Sequence, residues 1–158
     1  MPALVACFLM AGNGAASGAA AEEGSFKAAG ECWYFASASV LDLSVSKSQC
    51  NVKITTSDVP SLESGKEGKA DGYVFIRTDQ SRLELHALGD VRFDDGTFIA
   101  YSQRSIGGKL SGEGKQKLIG VSGSLKGGVA SCSYRITDRK SDGTWLKLVS
   151  DCDWIRPK

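Results

Sequence analysis

Only one imidazole, His86, occurs in the 158 residues, so any Ser–His or Cys–His nucleophilic scheme has to be built on it. It stands in Arg82-Leu83-Glu84-Leu85-His86-Ala87, where period-two alternation places Leu83, Leu85 and Ala87 on one face and His86 with Arg82 and Glu84 on the other. The expectation is a solvated surface histidine, and no catalytic residue is assigned. The five cysteines include no Cys-x-x-Cys pair, and one histidine cannot complete the usual zinc-ligand spacings, so no metal is expected. The glycines between 107 and 128 suggest a phosphate loop, but the pattern ending at Gly114-Lys115 requires glycine at position 109, which is Lys109. The dinucleotide pattern starting at Gly112-x-Gly114 fails at Lys117, and neither stretch leads into a helix. Asp90, Asp94 and Asp95 cluster beside a turn, and turn chemistry accounts for them better than an acid/base pair does. No cofactor is expected.

Charge narrows the partners. Lys and Arg number 19 against 18 Asp and Glu, for a net charge of +1, whereas a surface that tracks phosphates needs a large excess of cations. Lys109, Lys115, Lys117 and Lys126 therefore read as a solvated face, Trp145 and Trp154 as buried rings, and nucleic acid is not an expected partner.

Residues 1–21 carry no charged side chain, and their apolar run from Pro2 to Ala11 is too short for a helix of about 20 residues to span a bilayer. Ala19-Ala20-Ala21 supplies the small side chains that a signal peptidase accepts, so 1–21 is predicted to be a signal peptide and 22–158 a single exported domain, periplasmic or secreted. Leu4-Val5-Ala6-Cys7 has the form of a lipobox, but Phe8, Leu9 and Met10 continue the apolar run beyond it, which makes Cys7 a signal residue. No membrane span is predicted.

The remaining cysteines, Cys32, Cys50, Cys132 and Cys152, form an even set, as expected of disulfides in an exported chain. Ser141-Asp142-Gly143 reads as a hairpin loop between apolar runs at 129–137 and 144–155. Folding about Asp142 sets Cys132 opposite Cys152, Ile136 opposite Leu148, Tyr134 opposite Ser150 and Ala130 opposite Trp154. Opposed residues of an antiparallel pair lie about 4.5–5.5 Å apart at Cα, within reach of a disulfide. Cys132–Cys152 follows from that register, and Cys32–Cys50 follows by elimination.

The elements that position these groups are strands. Leu41, Leu43 and Val45 alternate with polar residues, as do Cys50, Val52 and Ile54, and Trp33-Tyr34-Phe35 opens the first of these runs as core. Residues 57–71 are polar and aperiodic, which predicts the longest loop. Strands at about 72–79 and 82–93 follow, and Asp95-Gly96 predicts a hairpin pairing Phe93 with Phe98 and Val91 with Ala100. The total is about eight strands, an all-β antiparallel, lipocalin-like barrel with two disulfides, or alternatively a β-sandwich.

The segment from Gly112 to Leu125, with Gly114, Leu118, Gly120 and Gly123 between, resembles the Gly-x-Gly-x-aromatic-x-Gly-x-x-Gly signature of secreted allene oxide cyclase and dirigent-like barrels, with Leu118 in the aromatic place. The resemblance implies an eight-stranded antiparallel barrel with an apolar lumen and carries over no catalytic residue. Three functions are compatible with such a domain. The first is a non-catalytic binding module for a small, largely apolar ligand. The second is a protein-interaction or hydrolase-inhibitor module using the 57–71 loop, and the third is an isomerase or cyclase. A lumen lined by small side chains with unfilled volume would favour the first.

Overall fold

A computed structural model describes residues 21–79, 82–107 and 112–157; Cys7, Lys109 and all but the last residue of the predicted signal peptide lie outside them. Eight strands follow one another: β1 (Glu22–Val40), β2 (Leu43–Ser57), β3 (Glu67–Asp79), β4 (Arg82–Phe93), β5 (Gly96–Gly107), β6 (Glu113–Gly123), β7 (Val129–Arg139) and β8 (Trp145–Arg156). Each pairs antiparallel with the next, and β8 pairs with β1 from Glu22↔Arg156 to Trp33↔Trp145, which closes the barrel. Closure pairs the edges that a sandwich would leave open.

Alternation then sorts the side chains. Even-numbered residues of most strands and odd-numbered residues of β4 line the lumen, so Phe26, Ile54, Val74, Val91, Phe98, Leu118 and Trp154 are buried while their sequence neighbours are exposed or half-buried. One end is packed solid. Val59 and Leu62 from the β2–β3 loop and Leu125 from the β6–β7 turn pack with Phe26, Ile54, Phe93, Phe98 and Trp154. Phe98 meets Phe93 and Trp154 edge-to-face at centroid distances of 6.3 and 5.8 Å.

Both disulfides are present, with Cys132↔Cys152 and Cys32↔Cys50 directly opposed and 4.1 Å apart at Cα in each case. The expected partners Ile136↔Leu148, Tyr134↔Ser150 and Ala130↔Trp154 are also found. Gly143 takes the left-handed conformation, with φ of 72°, in the turn before β8.

Three expectations change. Trp33 and Leu41–Val45 do not share a strand: the chain turns at Leu41, which is fully exposed with φ of 55°, and Leu43 and Val45 enter β2 in phase with outward-facing residues. The parity of Cys50, Val52 and Ile54 fixes that phase. The long loop ends at Lys66, because residues 67–71 pair with 49–53 as the start of β3. In the β4–β5 hairpin the turn is Asp94–Asp95, giving Phe93↔Gly96 and Val91↔Phe98. Gly96 serves packing there, since a Cβ on it would press on Leu125 Cγ at 2.8 Å. The shift is two residues, so every side chain keeps its face.

Candidate ligand-binding lumen

Above the packed end the lumen narrows to a waist of small side chains: Ala28 and Gly30 on β1, Ala70 and Gly72 on β3, Ala87 and Gly89 on β4, Ala100 and Ser102 on β5, and Ser150 on β8. Small residues on so many strands leave space that the barrel wall cannot collapse into. Gly72 and Gly89 are directly paired, and a Cβ on either would strike the backbone of the other strand, so the wall can coil tightly there only with glycine. The result is a cavity of about 160 Å³ lined mostly by apolar atoms. An engineered apolar cavity of about 150 Å³ admits benzene.

Polar groups gather at the far end of this cavity. Arg104 on β5 points inward and is only 6% exposed, and its Nε and Nη1 atoms are buried without a hydrogen-bond partner. No carboxylate forms a salt bridge with it among the described residues. Asp71 and Asp90 border the cavity through their backbone, but their carboxylates face outward, where Arg92 pairs with both and Gln49 donates to Asp71 at 2.9 Å.

Two phenols share the Arg104 end. Burial pushes the Tyr34 phenol up to about 12; the neighbouring Tyr134 adds to the rise and the Arg104 charge opposes it. Burial likewise raises the Tyr134 phenol against the pull of Arg104. Both are therefore neutral hydroxyls at pH 7 and provide no counter-charge. Gly114 positions one of them: it is paired with Tyr134 across β6 and β7, and a Cβ on it would come within 2.4 Å of Tyr134 Cζ. The side-chain-free step in β6 lets that ring lie against the wall beside β5. Gln116, Ser48 and Ser102 complete the polar lining.

The residues singled out from sequence fall mostly elsewhere. His86 lies on the outer face, half-buried, with Nδ1 2.7 Å from the Tyr101 hydroxyl, so it does not reach the lumen. Asp95 joins Lys66 at 2.6 Å and Ser124 at 2.8 Å in a turn-bracing cluster. Lys115 and Lys117 face outward, and Lys115 donates to Ser133 at 2.9 Å. Trp154 is buried as expected. Trp145 is half-buried on the outside, with its indole N–H on Glu31 at 2.9 Å. Of Trp33-Tyr34-Phe35, only Tyr34 lines the cavity. All four disulfide cysteines face inward, and Cys32, Cys50 and Cys152 form part of the wall. Among the described residues no His, Cys, Asp and Glu cluster could hold a metal ion.

Arg104 was missed by the sequence reading. The signal was parity: Phe98, Ala100, Ser102 and Arg104 occupy one face, and their drift from aromatic to charged resembles a strand running out into solvent.

No protein-family model and no curated protein sequence matches the chain. Solved structures do. The pterocarpan synthase dirigent protein GePTS1 superposes with a TM-score of 0.58 at 12% identity, covering 87% of this chain and 91% of that one. The pterocarpan synthase dirigent protein PsPTS1 gives 0.54 at 11% identity, covering 89% and 97%. The Diels–Alderase AbmU from Streptomyces koyangensis gives 0.52 at 18% identity, covering 90% and 72%. At these identities the likeness is one of fold: this chain's closed eight-stranded barrel resembles those of the two dirigent proteins and the Diels–Alderase.

Proposed function

We propose that this protein is an exported binding module that takes one small, largely apolar molecule into its lumen. The observation that supports this reading is the waist of alanine and glycine side chains, which leaves a cavity of about 160 Å³ where a structural barrel would be filled by large aliphatic residues. Two inward-facing disulfides suit a protein that works in an oxidising compartment, and the predicted signal peptide agrees with that location. The fold neighbours include dirigent proteins and a Diels–Alderase, but the lumen brings together no general acid/base pair and no nucleophile with its base among the described residues. The loop between β2 and β3 suits an inhibitor role poorly, because its apolar residues Val59 and Leu62 are buried in closing the barrel.

Calorimetric titration of the disulfide-bonded protein with indole, a neutral probe of suitable size, tests the proposal. Saturable binding at one site is expected, and it should be abolished by Ala87→Phe, which fills the waist. Absence of binding, or binding that Ala87→Phe leaves intact, would overturn it.

A further inference from the structure

The buried guanidinium of Arg104 has a bearing on the kind of ligand. A cation taken out of water without a partner is costly, and proteins normally pair it or leave it exposed. Here the side chain is 6% exposed, two of its three nitrogens have no acceptor, and no carboxylate among the described residues pairs with it. The groups nearest in chemistry are Tyr34 and Tyr134, whose hydroxyls can donate to a ligand and, staying neutral, add no negative charge. Gln116 and Ser102 are neutral as well. The polar end of the cavity is thus a set of neutral hydroxyl and amide groups around one positive charge, and most of the rest is apolar.

We infer that the lumen selects a small monocarboxylic acid, its apolar body in the alanine and glycine waist and its carboxylate against the Arg104 guanidinium beside the Tyr34 and Tyr134 hydroxyls. This rests on the reading of the lumen as a ligand site. Planar guanidinium and planar carboxylate match in geometry, and the charge-assisted hydrogen bonds between them are stronger than neutral ones. A neutral ligand would fill the apolar volume and leave the cation unanswered. A dianion or a phosphate ester would bring more charge than one arginine and two phenols can balance.

Phenylacetate and phenylacetamide have the same shape and differ in charge, so the pair isolates the contribution of Arg104. In calorimetric titrations at pH 7, wild-type protein should bind phenylacetate at least about tenfold more tightly than phenylacetamide. Arg104→Met should lose that preference and still bind indole. Equal affinities for acid and amide in the wild type would overturn the inference while leaving the apolar-ligand reading in place, and so would a preference that survives in Arg104→Met. Failure of indole to bind the wild type would overturn the underlying reading itself. Arg104→Gln, which removes the charge but keeps a polar side chain, serves as a second variant with the same expected loss of preference.

Discussion

Replacing Arg104 by methionine should make the ligand-free protein more stable. The guanidinium is buried, its Nε and Nη1 atoms have no partner, and no carboxylate answers its charge among the described residues. Methionine matches its stem as far as Nε, keeps that part of the lumen filled with apolar atoms and removes the desolvation penalty. Substituting well-packed apolar side chains for buried ionic groups yields about 1–4 kcal/mol. With an unfolding entropy of about 2.1 cal/mol/K per residue over about 140 residues, the gain corresponds to a rise in Tm of about 3–14 °C. Differential scanning calorimetry of wild type and variant at pH 7, disulfides intact, reads this directly. A second readout is the Tyr34 phenol: losing the positive charge that favours its phenolate should move its ionisation higher than the wild-type value of about 12. A fall in Tm of several degrees would show the opposite, that the guanidinium is structurally satisfied and not held ready for a ligand. A stabilising loss of a residue needed for binding is the usual exchange of stability for function.

Other consequences follow from the same packing. Each disulfide closes a loop, with sequence separations of 18 and 20, so converting either pair to alanine should cost about 3 kcal/mol in guanidinium unfolding, within the chain-entropy account. Gly128→Ala would drive a Cβ into the Trp154 ring and should cost about 1–3 kcal/mol in the same assay. Tyr34 ionises near 12 in the folded protein against an ordinary value of 10.0, so the folded state holds its proton more tightly. Its contribution to stability is therefore complete below pH 10 and lost as the pH rises towards 12, and Tyr34→Phe should flatten that part of the stability profile.

Strand count, the Cys132–Cys152 register and the inward face of β4 were legible because each depends on alternation or on a turn that pins the pairing. Leu83, Leu85 and Ala87 lie on the lumen side and His86 on the outside, as parity alone predicts. The turn at Leu41 was not legible: no Gly or Asn marks it, and outward Leu43 and Val45 imitate a buried face. The β4–β5 turn was displaced for a related reason. Asp95-Gly96 has hairpin chemistry, yet Gly96 is needed for contact with Leu125, which belongs to a turn far along the chain. The lumen site was the least legible part. Small inward residues on many strands form a cavity only once the ring is closed, and a charged residue at the end of an alternating strand reads as solvent-facing until closure buries it.

On the proposed function the lumen, not the outer surface, receives the ligand. Intermolecular nuclear Overhauser effects from the ring protons of bound indole, recorded on methyl-labelled protein, test it most directly. Contacts are expected to the methyls of Val52, Val74, Ala87 and Ala100, which line the cavity. Contacts confined to the exposed outer-wall methyls of Leu88, Ile99, Ile119 and Val121 would contradict it.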